Sequence, residues 1–219
     1  MNANSSFDGI KVAIIDYGIG NVRSIKNAFL HVGDFDVRIT DDPDVLSAAD
    51  CLILPGVGAY RDAMENLRQR NLVGVLHEEV VERQKPVLGV CLGMQLMFEH
   101  SDEGAGYEGL GWMAGQVRAM EPGGGLRVPH VGWNDLNIEN ESEIFSYLGN
   151  DKNFYFVHGY HVECEHKNVL ATFEYGKQFT AAVQHRNIVG MQFHPERSQT
   201  NGLSAIRSFA HWVGEYNHA

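Results

Sequence analysis

The strongest constraint on the fold is the alternation of apolar runs with amphipathic stretches over the first hundred residues. Lys11 to Asp16 (KVAIID) is a near-continuous apolar run and reads as a buried parallel strand. The segment Asn21 to His31 follows, with Val22, Ile25, Ala28, Phe29 and Val32 spaced to form one helical face. Phe35 to Ile39 and Cys51 to Leu54 read as the next strands, the latter stopped by Pro55-Gly56. Ala63 to Gln84 reads as mostly helical with a break near Asn71, Pro86 to Val90 as a fourth buried strand, and Gly93 to His100 as a helix. Strand alternating with helix demands a parallel sheet with right-handed crossovers.

The second half changes character. Trp112 to Met120, Phe154 to His158, Val169 to Tyr175, Phe179 to Gln184 and Ile188 to Phe193 read as strands. Antiparallel hairpins are therefore expected beside the parallel core. Glu121 to Leu126 (EPGGGL) reads as a turn or mobile loop. Gly202 to Tyr216 reads as a final helix, with Leu203, Ile206, Phe209, Val213 and Tyr216 on one face. A chain of 219 residues without repeats or an interdomain linker suits one domain, residues 10–219, after a loose polar leader over 1–9.

Composition narrows the class. Seventeen basic against 28 acidic residues give a net charge of −11, which argues against nucleic acid or an anionic membrane as partner. Three cysteines imply no disulfide framework, so an intracellular setting is expected. No apolar run approaches the ~20 residues of a membrane span, and the leader lacks the regions of a signal peptide. The expectation is a soluble cytoplasmic enzyme.

Chemistry gathers at strand ends. Gly89-Val90-Cys91-Leu92-Gly93 has the shape of a nucleophile elbow with Cys in place of Ser. Its glycines permit a sharp turn at the carboxyl edge of the sheet, where ligands bind in open α/β folds, and the following helix N-terminus favours negative charge. A cysteine nucleophile needs a base. His194-Pro195-Glu196 follows the last predicted strand, and residues i and i+2 of an extended segment point to one side, so Glu196 can orient the His194 imidazole. Leu54 to Ala59 (LPGVGA) ends another strand, and its glycines allow N–H groups to face a developing oxyanion. Gly18-Ile19-Gly20 fails as a dinucleotide fingerprint because its third glycine position is Arg23. His161, Cys164 and His166 lack the paired spacing of a zinc site, so no metal is expected.

Together these segments resemble the class I (triad) glutamine amidotransferases. Asp16 to Asn21 (DYGIGN), Leu54 to Ala59, Leu88 to Gln95 (LGVCLGMQ), Val128 to Asn134 (VPHVGWN), Tyr155 to His158 and Gln192 to Ser198 (QFHPERS) look like the glutaminase subunits of imidazole glycerol phosphate synthases, in order and spacing, from about Lys11 to Val213. The resemblance implies an open, mostly parallel central sheet flanked by helices, with added antiparallel hairpins. It implies that Cys91 attacks the side-chain amide of L-glutamine, that His194 shuttles the proton and that Glu196 orients it. Gly56, Val57, Gly58 and Leu92 then supply the oxyanion site, with an N–H near Val57 that needs reorientation, and Gln95, His158, Gly159 and Tyr160 hold the glutamine. The family usually has Ser at the place of Gly159, so a backbone contact there survives and a hydroxyl contact does not. No cofactor is implied. The implied partner is a (β/α)₈ synthase subunit in a heterodimer of histidine biosynthesis, to which ammonia is channelled.

Gly109 to Trp112 and Tyr160 to Cys164 look more like a paralogous group, which supplies ammonia to amidotransferases acting on surface-polysaccharide sugars. A stand-alone γ-glutamyl cysteine hydrolase using the same Cys91 and His194 is the alternative from another class.

Overall fold

The computed structural model describes residue 7 and residues 9–218. In chain order the first half contains β1 (Lys11–Ile15), α1 (Val22–Val32), β2 (Asp36–Thr40), α2 (Pro43–Ala48), β3 (Cys51–Leu54), α3 (Tyr60–Gln69), α4 (Leu72–His77), β4 (Val87–Val90) and α5 (Leu92–Leu96). The second half contains β5 (Phe98–Ser101), β6 (Tyr107–Glu108), β7 (Met113–Ala119), β8 (His130–Asp135), β9 (Asn137–Ile138), β10 (Asn153–His158), β11 (Tyr160–Glu163), β12 (Val169–Glu174), β13 (Gln178–His185), β14 (Ile188–Met191) and α6 (Gln199–Tyr216).

One sheet of eight strands, ordered β2-β1-β3-β4-β14-β13-β12-β9, organises the molecule. Its first five strands are parallel, and β13, β12 and β9 continue it antiparallel. The expected class of fold is therefore present, hairpins included. A four-stranded sheet (β11-β7-β5-β6) and the β8–β10 pair lie beside it.

Side chains of a strand alternate between faces, and both faces here are covered, which is why these strands read as unbroken apolar runs. Val12 and Ile14 of β1 join a core with Phe29 of α1 and Phe209 of α6. Ala13 and Ile15 join the opposite core with Met64 and Leu67 of α3 and Leu76 of α4. On α6, Ile206, Phe209 and Val213 are buried as the periodicity predicts, while Leu203 and Tyr216 are only partly covered. The break at Asn71 is a left-handed residue, φ 56°, between α3 and α4.

Two expectations are corrected. The helix expected over Gly93–His100 stops at Leu96, and the chain turns at once into β5. The carbonyls of Leu96 and Met97, which a longer helix would use, accept instead from Leu110 N and Trp112 N, both at 2.8 Å. Tertiary pairing overrides the helical pattern. Of the leader, residues 1–6 and 8 lie outside the described residues, but Phe7 is buried and stacks on Phe35 at 5.5 Å, so packed structure begins before Ile10. Among the described residues no helix is long and apolar enough to cross a membrane.

One of the two tightest approaches among the described glycines is at Gly93. A Cβ there would lie 1.8 Å from Leu54 O, so the start of α5 sits against the end of β3 only because residue 93 is glycine. Gly93→Ala should destabilise the chain by about 3 kcal/mol or prevent folding, as forced overpacking does. Gly74→Ala is the contrast. Position 74 is an exposed α4 residue with nothing near a new Cβ, so it should stabilise by ~0.5–1 kcal/mol. Urea denaturation of both variants checks the pair.

Candidate active site

β4 ends at Val90 and α5 begins at Leu92, so Cys91 alone carries the turn. Its φ of 54° and ψ of −110° form a conformation that costs a non-glycine residue of order 1–3 kcal/mol. Backbone bonds hold it there. Cys91 N donates to Met191 O at 2.8 Å, and Cys91 O accepts from Gln95 N at 3.3 Å. The thiol donates to Val157 O at 3.8 Å and Sγ accepts from Gln192 Nε2 at 3.7 Å. Cys91 is 6% exposed, and it lines a cleft of about 320 Å³.

His194 enters this cleft from the segment after β14. Its N–H donates to Tyr155 O at 2.9 Å. Ser198 Oγ donates to His194 O at 2.6 Å and accepts from Tyr155 N at 3.0 Å, so one buried hydroxyl ties His194 to β10. His194 Nδ1 lies 3.0 Å from Glu196 Oε1, with the two side chains 3% and 1% exposed. The contact is the one expected, but its route differs. Pro195–Arg197 is a 3₁₀ turn rather than extended chain, so the turn, not strand alternation, brings the carboxylate to the ring. Burial alone would push the imidazole pKa down. The neighbouring Cys91 sulfur and the hydrogen-bonded, charged Glu196 outweigh that and push it up to about 10. His194 Nε2 has no hydrogen-bond partner and is available to a ligand of the cleft.

The other expected residues divide in two. Val57, Gly58, Leu92, Gln95, His158, Gly159 and Tyr160 all line the cleft with Cys91 and His194. Gly56 stands behind its wall against Leu92 and Gly93, and Glu196 stands behind His194. Leu92, first residue of α5, offers an N–H that no carbonyl within the helix can satisfy. Gln95 Nε2 donates to Tyr160 O at 3.0 Å and to Gln192 Oε1 at 2.9 Å. Both its hydrogens are thus committed to the protein, and its carbonyl oxygen is the end left for a ligand. His158 Nδ1 sits 2.7 Å from Tyr160 O, and burial holds its pKa down to about 3, so the ring is neutral and donates from Nδ1.

Sequence reading missed three residues of this site. Glu103 lines the cleft and accepts from Tyr60 N at 3.0 Å through Oε2. It brings a carboxylate to the wall of the cleft. Its loop follows the segment read as helix, which hid it. Gln192 touches the sulfur, and Ser198 braces His194. Both lie within the QFHPERS segment, whose spacing gave no hint of their contacts. The Asp16–Asn21 loop also has a place here. Tyr17 Oη donates to Pro55 O at 2.5 Å, and Gly20 packs on the Pro55 ring.

A strained cysteine after a parallel strand, a histidine backed by a buried carboxylate, and a cleft that both line define a cysteine-dependent acyl-transfer site. The chain belongs to the class-I glutamine amidotransferase family of enzymes, whose description matches residues 13–211. It is 60% identical over 204 residues to imidazole glycerol phosphate synthase subunit HisH 2 of Vibrio vulnificus (strain YJ016), spanning 93% of this chain and 95% of that one. It is 44% identical over 201 residues to the HisH subunit of Aquifex aeolicus (strain VF5), spanning 91% and 96%. Among solved structures, PurLQS from Thermotoga maritima shares the fold at a TM-score of 0.69 and 20% identity, over 93% of this chain and 98% of that one. The glutaminase domain of Trypanosoma brucei CTPS with bound acivicin shares it at 0.65 and 17%, over 94% of each chain.

Two outcomes follow from the geometry. A Cβ at Gly159 would be 3.5 Å from its nearest neighbour, Val128 Cγ1, an ordinary contact. Gly159→Ser should therefore change stability by no more than about 0.5 kcal/mol, checked by thermal melting. The raised pKa of His194 means that its charge stabilises the folded chain fully below the ordinary histidine value of 6.5, and that this contribution is lost as pH rises toward about 10. Glu196→Gln removes one of the groups raising that pKa. The His194 transition followed by imidazole NMR should move to lower pH, and the stability advantage should disappear at lower pH than in the parent chain.

Proposed function

We propose that this chain is the glutaminase subunit of an imidazole glycerol phosphate synthase, hydrolysing L-glutamine to glutamate and ammonia and passing the ammonia to a synthase subunit in histidine biosynthesis. The observation that carries the reading is that Cys91 and His194 line one cleft with Glu196 hydrogen-bonded behind His194, in a chain whose curated relatives bear that synthase's name.

In this reading the γ-carboxamide of glutamine lies over Cys91, and its α-ammonium group meets Glu103. The sulfur attacks the amide carbon after its proton has passed to His194, whose charged form the site favours. The C=O electron pair moves onto oxygen, where the N–H groups of Leu92 and the Val57–Gly58 segment stabilise the charge. His194 returns the proton to the amide nitrogen, the C–N bond breaks and ammonia leaves. Water, deprotonated by His194, then cleaves the γ-glutamyl thioester and regenerates the thiol. Glu196 stabilises the imidazolium at each stage and takes no proton itself.

The partner is read from the rim. Val57, Val128, Val131 and Trp133 are all exposed large apolar side chains. Val57 lines the cleft, Val131 pairs with cleft-lining Val157, and Val128 abuts Gly159. An apolar face around an ammonia-releasing site suits docking of a (β/α)₈ synthase subunit, which would receive ammonia before water protonates it. One observation favours a second reading. The Vibrio vulnificus relative is numbered 2, a numbering that separates subunits of one kind within an organism. A paralogous role with a sugar amidotransferase rests on that and on the Gly109–Trp112 and Tyr160–Cys164 segments.

Cys91→Ala should abolish glutamate release while leaving the melting curve cooperative. The purified chain alone should release glutamate slowly, at a rate raised ~10²–10³-fold by its proper partner if one oxyanion donor is then supplied. Glutamate release measured alone, with a histidine-pathway barrel and with a sugar-pathway amidotransferase separates the readings. Full activity without any partner would leave the stand-alone hydrolase.

A further inference from the structure

Gln192 belongs to no element of the proposed reaction described so far, yet it is wholly buried, at 0% exposure. The sheet puts it beside the nucleophile. β14 and β4 run parallel with Gly190 opposite Gly89 and Met191 opposite Val90, so the next residue of each chain is Gln192 and Cys91. Backbone bonds fix both, since Met191 O accepts from Cys91 N at 2.8 Å and Gln192 N donates to Ala181 O at 2.8 Å.

The direction of the side-chain amide is set by a chain of hydrogen bonds whose polarity starts from a backbone carbonyl. Tyr160 O can only accept, so the end of Gln95 that meets it, at 3.0 Å, is the NH₂ group. The same NH₂ lies 2.9 Å from Gln192, whose near end must then be the carbonyl Oε1. That leaves the Gln192 NH₂ facing Cys91 Sγ at 3.7 Å. Reversing Gln192 would oppose two donors at the Gln95 contact. An N–H aimed at sulfur is worth most when the sulfur is ionised, because hydrogen bonds to charged acceptors are the stronger kind.

We infer that Gln192 is a further catalytic residue, whose side-chain amide donates to the Cys91 sulfur and whose carbonyl locks Gln95, so that the nucleophile and the substrate-facing wall are oriented as one unit. The inference rests on the reading of Cys91 as nucleophile. It adds a donor to the sulfur that the Cys91–His194–Glu196 set does not contain, and it explains why Gln95 presents its carbonyl rather than its NH₂ to the cleft.

Two substitutions separate the two contacts. Gln192→Glu keeps an acceptor for Gln95 and replaces the sulfur-facing donor by a carboxylate oxygen. Gln192→Met is neutral and close in shape, and removes both contacts. The rate of Cys91 alkylation by iodoacetamide is measured by mass spectrometry with Cys164 as internal reference, beside glutamine kinetics with the stimulating partner. In both variants Cys91 alkylation should slow by about tenfold, the effect of one hydrogen bond to an ionised group, while Cys164 is unchanged. In Gln192→Glu the loss should fall on kcat with KM near the parent value, and in Gln192→Met KM should rise as well. Should the glutamate variant fail to fold, the neutral one alone decides. Parent-like Cys91 alkylation and kcat in a folded Gln192→Met protein would overturn the inference. Glutamine hydrolysis that survives Cys91→Ala would instead overturn the nucleophile reading, so the two failures are distinguishable.

Discussion

Everything in the site depends on one backbone conformation, that of Cys91 at φ 54° between a parallel strand and a five-residue helix. A side chain in that conformation sits at the sheet edge, where Cys91 closes the margin of one core and still lines the cleft. The conformation is unfavourable for a residue with a Cβ, so the surroundings must hold it. They do so with the bond from Cys91 N to Met191 O and with the seating of Gly93 against Leu54 O. Strands β3, β4 and β14 are adjacent in the sheet, and each contributes one part of that frame. The strain of the elbow is thus distributed over the most buried strands of the molecule.

The second determinant is the handling of buried polarity. His194, Glu196, His158, Gln95, Gln192 and Ser198 are polar side chains with little or no contact with water. Uncompensated, each would be costly to bury. Most are paired to the backbone or to one another, and the paired ends determine which ends stay available. His194 commits Nδ1 to Glu196 and keeps Nε2 without a partner. Gln95 commits its NH₂ and keeps its carbonyl. The unpartnered atoms therefore mark where a polar ligand would be complemented.

The sequence carried the fold well where local and tertiary preferences agree. Buried strands such as Cys51–Leu54 and helices such as Val22–Val32 are legible because an apolar run or a 3.6-residue period can be satisfied in only one way in a two-faced sheet. It misled over Gly93–His100, where the apolar pattern suits a helix but residues 110–112 capture the carbonyls. It was silent on α2, though Asp42 before Pro43 is a helix-start signal, and on β8, whose alternation is broken by Gly132. For the candidate site, the strand-end motifs pointed to Cys91, His194 and Glu196, which the fold brings together, because glycine and proline punctuation is local. Glu103, Gln192 and Ser198 were not legible, since their contacts reach 43 to 101 residues away in the chain.

The Val57 segment is held on both sides, with Gly56 packed against Leu92 and Gly93, while nothing lies near a Cβ at Gly58 and Val57 is exposed. Upstream, the fully buried Tyr17 hydroxyl grips Pro55 O. Downstream, Glu103 grips Tyr60 N. A crank between two fixed bearings behaves this way. Rotation is confined to the few peptides around Val57 and Gly58, and it leaves β3 and α3 where they are. The exposed Val57 side chain is the handle of that crank, so a protein pressing on the rim could turn a single N–H inside the cleft without disturbing the frame that holds Cys91.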